Sequence, residues 1–297
     1  MGIGTSPSHL LGKLESIDLQ TDLSVGGVIL LGRRNQFKGK VSVVTGGGAG
    51  LGAAFCRALA ADGAQVVVAD IRGDLARQVA GAVGGEAAEA AEADVSDPRQ
   101  ITELLQATKA KYGSLDLVIN NAGISAGGEP WEIPWEAWER VIRVNLMGVI
   151  AGSVAALRIM KEQGSGWILN MGSTNGLALT PMLGPYSASK AGVVFFSRGL
   201  AEEAAAFGVH VAVGCPGNVQ TGILPSHVSS LTPPMDPDLA ARRILHALAR
   251  KKRIIIFPLY AKLWWWLDRL NPGLLGPLRQ VIVKRARGRA AAATAFK

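Results

Sequence analysis

Six short runs along the chain are almost unbroken in Val, Ile and Leu or lead into such residues: Val41–Thr45, Gln65–Asp70, Leu115–Asn120, Trp167–Met171, Val209–Gly214 and Arg253–Phe257. They lack in-out alternation, which marks strands buried on both faces. Ala88–Asp94 sits where a further strand falls, although Ala and Glu are poor strand formers. Between these runs the apolar positions recur at helical spacing, over Leu51–Asp62, Leu75–Val83, Pro98–Tyr112, Trp135–Glu162, Tyr186–Phe207 and Pro237–Ala249. Strand–helix alternation predicts an α/β protein built on a single doubly wound parallel sheet of about seven strands, with helices on both faces. No internal repeat interrupts it.

Composition narrows the class. The chain has 297 residues, 48% of them hydrophobic and 18% charged, enough to bury a core without staples and too apolar for global disorder. Two cysteines, Cys56 and Cys215, exclude a disulfide framework, and the four histidines form no metal-ligand spacing. Charge is split along the chain. From Arg242 to Lys297 there are 14 Lys/Arg and one acid, Asp268, whereas the preceding residues are mildly acidic. The organisation expected is an N-terminal extension over 1–37, the catalytic domain over 38–257, and a basic amphipathic tail over 258–297. No apolar run of the extension or tail reaches bilayer length, and no secretory signal is recognisable. A cytoplasmic protein is expected, with peripheral membrane attachment through the tail.

The first strand runs into Thr45-Gly46-Gly47-Gly48-Ala49-Gly50-Leu51-Gly52, where a helix opens. Glycines let backbone approach a ligand closely, and free N–H groups at a helix start favour a pyrophosphate. Asp70 ends the second strand, where a carboxylate accepts hydrogen bonds from the adenosine ribose and repels a 2′-phosphate. NAD is therefore favoured over NADP, with Arg72 softening the preference; a helix N-cap is the alternative role of Asp70.

Tyr186 and Lys190 stand four apart on one helical face. A phenol titrates near 10 and needs tuning before it exchanges protons at neutral pH. An adjacent ammonium stabilises phenolate, so the pair suits general acid/base work on an alcohol or ketone. Ser173, at the end of a strand, can polarise a substrate oxygen by hydrogen bonding or simply cap a turn. Ser-His-Asp hydrolysis is disfavoured.

Taken in order, Thr45-Gly-x-x-x-Gly50-x-Gly52, Asp94-Val95, Asn120-Asn121-Ala122-Gly123, Asn145, Ser173, Tyr186-x-x-x-Lys190 and Pro216-Gly217-Asn218-Val219-Gln220-Thr221 resemble the short-chain dehydrogenase/reductases over residues 38–257. The resemblance implies a catalytic set of Asn145, Ser173, Tyr186 and Lys190, with Asn145 placing a water that links Lys190 to solvent. It implies cofactor contacts from Gly46, Gly50, Leu51, Gly52 and Asp70, from Asp94 and Val95 beside the adenine, and from Asn121, Ala122 and Gly123. Tyr186, Lys190, Pro216, Gly217, Val219 and Thr221 complete that set on the nicotinamide side. It also implies a homodimer or homotetramer on the long helices. Gly172 departs from the family, many members of which carry a serine before the catalytic one.

Substrate choice falls to the loops Ile124–Trp135, Thr174–Pro185 and Ile223–Asp236, which carry Trp131, Met182, Leu183, Ile223, Leu224, Leu231 and Met235 and few charges. A lipophilic secondary alcohol or ketone is expected. Trp264, Trp265 and Trp266 cannot all face one core. With the basic charge around them they suit an anionic membrane surface, or else a cover for the pocket or a subunit interface; nucleic acid is not expected. An oxidoreductase is the first function class. A membrane-associated dinucleotide-binding regulator with vestigial catalysis is the second.

Overall fold

The computed structural model describes residues 36–271 except 86, 179–180 and 224–233, and beyond them residues 276, 280–281, 283–284 and 287. The N-terminal extension up to residue 35, Leu224 and Leu231 therefore lie outside the described residues.

Seven parallel strands form the sheet: β1 (Val41–Thr45), β2 (Gln65–Asp70), β3 (Ala88–Glu92), β4 (Leu117–Asn120), β5 (Gly166–Met171), β6 (Val209–Pro216) and β7 (Ile254–Phe257). Their order is β3-β2-β1-β4-β5-β6-β7. The helices are α1 (Gly50–Ala61), α2 (Gly73–Gly84), α3 (Pro98–Tyr112), α4 (Trp135–Ile142), α5 (Gly148–Gln163), α6 (Gly184–Ala205), α7 (Pro237–Ala249) and α8 (Leu259–Leu270).

The continuous apolar runs are explained by two cores. Val44, Val66, Val68, Ile119 and Leu169 pack with Phe55 and Leu59 of α1 and Ile244 and Leu248 of α7. Their strand neighbours Val43, Val67, Val118 and Ile168 point the other way, toward Ile101 and Leu105 of α3, Ala156 and Met160 of α5, and Leu200 of α6. Each strand thus feeds both faces, as a covered parallel sheet requires.

Two expected elements differ in detail. The run Leu115–Asn120 enters the sheet only at Leu117, because the Gln163 side chain takes both the N–H and the carbonyl of Leu115. The helix expected over Trp135–Glu162 is broken by a π-helical segment, Arg143–Met147, between α4 and α5. Its periodicity hides the one-residue insertion, and such insertions concentrate at functional sites. The whole run Trp135–Gln163 is long and apolar enough to cross a membrane by length and composition. Its Val149, Ala155, Ala156 and Met160 are nevertheless buried in the protein.

Beyond β7, α8 packs its Ala261 into a third apolar cluster with Val193, Val213 and Ile256, and Trp265 leans on the same cluster.

Candidate active site

A cavity of about 1060 Å³ opens at the C-terminal ends of the strands. It lies where β1 and β4 diverge to opposite halves of the sheet, the point at which open α/β sheets bind ligands. Its floor is the glycine-rich turn. Gly46 has φ +62°, and a Cβ there would stand 2.8 Å from the Ala122 Cα; a Cβ at Gly52 would collide with the Gly46 carbonyl. The turn is held from the side. The Thr45 hydroxyl accepts from the N–H groups of Asn121 (3.0 Å) and Ala122 (3.2 Å), and the Asn121 amide donates to the carbonyls of Thr45 (3.0 Å) and Gly46 (3.2 Å).

At the start of α1, Ala49 supplies no side-chain cap, and the first turn carries no acid. Ala49 to Gly52 line the cavity, so that helix end offers N–H groups and a positive dipole end beside empty space, which suits a pyrophosphate. Asp70 accepts from the Gly48 N–H (2.9 Å) and the Arg72 N–H (3.0 Å). It does not cap α2, whose N-cap is Arg72 without a side-chain bond. Its carboxylate ties the end of β2 to the glycine turn and faces the cavity. Asp94 accepts from the Ser96 N–H at 2.8 Å and, with Val95, forms a further wall. Thr221 closes toward Gly50, where an added Cβ would lie 3.2 Å from the threonine Cβ. All sixteen residues expected to contact a dinucleotide line this one cavity.

Ser173, Tyr186 and Lys190 line it as well. Ser173 follows β5 and caps the short 3-10 turn Thr174–Gly176 by accepting from the Asn175 N–H at 3.1 Å. It also stands beside the Tyr186 phenol and pulls that group's pKa down. Tyr186 and Lys190 come from the first turns of α6. The Lys190 ammonium donates to the Met171 carbonyl at 2.7 Å and lies 5.7 Å from the centre of the Tyr186 ring. Burial pushes the phenol up to about 12, against the pull of Ser173. Burial also pushes Lys190 down to about 8. The lowering of the tyrosine expected from its lysine neighbour is therefore not found in this state. Desolvation sets the direction, and the lysine spends its closest hydrogen bond on backbone.

Asn145 sits in the π segment, fully buried, and does not line the cavity. Its carbonyl oxygen accepts from the Ile124 N–H (2.8 Å), and its amide donates to the Ile124 carbonyl (2.9 Å) and Ser189 (3.0 Å). It clamps the strand of chain that carries Gly123 past Lys190: a Cβ on Gly123 would lie 3.3 Å from Asn145 Oδ1 and 3.6 Å from Lys190 Nζ. The family departure at Gly172 has a local cause. A Cβ there would meet the Cys215 sulfur at 3.0 Å and Val213 at 3.1 Å.

Of the loop residues expected to shape a substrate site, Leu183 and Ile223 line the cavity. Trp131 is 74% exposed and stands outside it. Met182 is buried and uses its carbonyl to accept from the Gly128 N–H, joining two of the loops. Sequence reasoning missed Ala261 of α8 and Arg140 of α4, both of which line the cavity. An alanine carries no chemical signal, and an arginine on an amphipathic helix reads as a solvated face. Gly123-Ile124-Ser125-Ala126-Gly127 has the spacing of a hydrolase nucleophile elbow. No helix opens behind it until Trp135, and no histidine is among the cavity's lining residues, so it lacks the required setting. Among the described residues no cluster of His, Cys, Asp or Glu suits a metal ion.

The family model for short chain dehydrogenase matches residues 40–231. An uncharacterized oxidoreductase of Staphylococcus aureus (strain N315) is 34% identical over 215 residues, covering 72% of this chain and 93% of the relative. The 2-(S)-hydroxypropyl-CoM dehydrogenase 3 of Xanthobacter autotrophicus is 36% identical over 213 residues, 71% of this chain and 82% of its own. A crystal structure of a short chain dehydrogenase/reductase from Burkholderia phymatum in complex with NAD superimposes with a TM-score of 0.74 at 28% identity, covering 80% of this chain and 96% of that one.

Proposed function

The chain belongs to the short-chain dehydrogenase family, and from that premise we propose that it is an NAD-dependent oxidoreductase acting on a lipophilic secondary alcohol or the matching ketone. The observation that carries the reading is the placement of Ser173, Tyr186 and the Lys190 ammonium in the same cavity as an uncapped helix start and the Asp70 carboxylate.

A nicotinamide dinucleotide held there would supply the chemistry of hydride transfer to or from the carbinol carbon. The chain's own residues do the rest. The N–H groups at the start of α1 hold the pyrophosphate, and Asp70 takes the adenosine ribose hydroxyls while its charge turns away a 2′-phosphate. Asp94 and Val95 border the adenine, and Pro216, Gly217, Val219 and Thr221 border the far end. Lys190 binds the nicotinamide ribose and holds a positive charge beside the phenol. Ser173 hydrogen-bonds the substrate oxygen, and Tyr186 gives a proton to it in reduction or takes one in oxidation. Asn145 acts as a positioning residue: it fixes the Ile124 backbone beside Lys190. The NAD bound by the Burkholderia neighbour supports the cofactor, and the secondary alcohol in the Xanthobacter relative's name supports the class of substrate. Ile124, Val144, Pro181, Leu183 and Ile223 in the cavity wall support its lipophilic character. A regulator with vestigial catalysis is not favoured, because the acid/base cluster is assembled.

The test is formation of reduced nicotinamide with secondary alcohols graded from small polyols to steroid-sized molecules, with NAD and NADP in parallel. Turnover is expected with NAD on the lipophilic members. Tyr186→Phe is expected to lower kcat by about 10²–10⁴ with NAD affinity kept. Activity on polyols alone, or unchanged kcat in Tyr186→Phe, overturns the reading.

A further inference from the structure

The function just proposed leaves the outer face of α8 unused. On the inner side of that helix Ala261 lines the cavity and Trp265 leans on the apolar cluster. On the outer side Leu259, Leu263, Trp266 and Leu270 are all exposed. Their spacing of four, three and four residues places them in one stripe along the helix. Four large apolar side chains in a row on a surface mark a docking face rather than scattered exposure.

Charge identifies the occupant. Beside α8 a groove of about 380 Å³ is lined by Arg198 of α6 and Arg269 of α8 together with Phe195 and Trp265. Each guanidinium lies over an aromatic ring, Arg198 at 5.6 Å from the centre of Phe195 and Arg269 at 5.9 Å from that of Trp265. Neither makes an ion pair among the described residues. The sequence from Arg242 onward holds 14 Lys/Arg and one acid. An apolar stripe, an indole and two guanidiniums without ion pairs among the described residues, beside a strongly basic segment, match the acyl boundary and phosphates of an anionic bilayer.

We propose that α8 docks on an anionic phospholipid bilayer, its Leu259–Leu270 stripe entering the interface and Arg198 and Arg269 taking lipid phosphates. Arg287 is the described basic residue furthest along the chain. It pairs with Glu129 on the loop between β4 and α4, with Nη2 donating to Oε2 at 3.2 Å, so this one basic side chain is held against a loop that begins in the cavity wall at Ile124. Since Ala261 on the same helix lines the cavity, docking brings that wall to the lipid surface, where a lipophilic substrate is concentrated.

The experiment is flotation of the full chain with vesicles of phosphatidylcholine alone or mixed in equal parts with phosphatidylglycerol, and it needs no turnover. Binding to the mixed vesicles is expected, weakened by salt. The partition coefficient is expected to fall about tenfold or more in Leu263→Glu/Trp266→Glu. A fall of about tenfold is expected in Arg198→Ala/Arg269→Ala. Circular dichroism and NAD titration check that both variants stay folded. No binding to mixed vesicles, equal binding to both kinds, or full binding by the stripe variant overturns the proposal. So does absence of binding with loss of an oligomer in the stripe variant by light scattering, which assigns the stripe to a second copy of the chain.

Discussion

The two halves of the cavity are built from different materials. The half formed by β1, β2 and α1 is backbone held by backbone and short polar side chains, in which Thr45, Asn121 and Asp70 fix the glycine turn through hydrogen bonds of 2.9 to 3.2 Å. The half beyond β4 is made of side chains on loops and on the helices α4 and α8, apolar at Ile124, Val144, Pro181, Leu183, Ile223 and Ala261 with Arg140 as a cation among them. A dinucleotide presents the same atoms to every protein that binds it, so one arrangement of N–H groups serves. A substrate does not, and its half of the site is free to vary while the scaffold stays fixed.

Gly52→Ala breaks the first half most completely. The added methyl meets the Gly46 carbonyl, and only displacement of the turn relieves it. NAD affinity is expected to fall by about a hundredfold or more, read by calorimetric titration, while a fluorescent apolar probe still enters the other half. Equal loss of both ligands would erase the distinction between the halves.

Lys190 sits on the seam, and its protonation has a signed effect on stability. Its pKa of about 8 in the folded chain lies below the ordinary 10.5, so the unfolded chain binds more protons between those values and stability rises with pH across that window. Tyr186 and Cys215, the groups facing it, are both pushed up to about 12 and stay neutral there. Lys190→Met removes a buried charge at neutral pH. The variant is expected to be more stable than the parent at pH 7, by on the order of 1–3 kcal/mol, with the gain shrinking toward pH 10 and activity lost. Urea titrations at the two pH values measure it, and a gain independent of pH contradicts the assignment.

Gly172→Ser is expected to cost about 1–3 kcal/mol through overpacking against the Cys215 sulfur. Adding Cys215→Ala is expected to return most of it in a thermal melt. A double variant no better than the single one would place the cause elsewhere. The smallest effect belongs to Trp131→Ala. Despite lying in a substrate loop, this side chain faces away from the cavity, and kcat/KM is expected to change by less than about twofold.

The same division explains what could be read from the sequence. The sheet was legible because buried parallel strands are apolar throughout, and Val66, Val67 and Val68 need no partner to announce themselves. The glycine turn was legible because its spacing is dictated by backbone geometry. Tyr186 and Lys190 were legible because four residues on a helix share a face. The π segment was not, since Arg143–Met147 keeps an ordinary helical composition and its extra residue is absorbed in the hydrogen-bond pattern. Ala261 was not, because its importance lies in where α8 turns after β7 rather than in its own chemistry. The tyrosine's upward shift was not, because it depends on how much water the closed fold removes from around a pair whose spacing alone says nothing of solvent.

The strand order has a consequence for how the chain reaches this state. β1 lies beside both β2 and β4, and its start is pinned by the Asp116 carboxylate, which accepts from the Val41 N–H at 2.9 Å and from the Lys40 ammonium at 3.0 Å. That contact joins residues 75 positions apart, so the centre of the sheet is a long-range closure and not a local hairpin. The β1–β2–β3 portion can zip as consecutive crossover units, but the crevice at the β1–β4 boundary forms only when that distant strand arrives. Loop-closure entropy makes such a pairing a slow kinetic event. The two halves of the ligand pocket are thus joined by a pairing that comes later than the local units on which the first half stands.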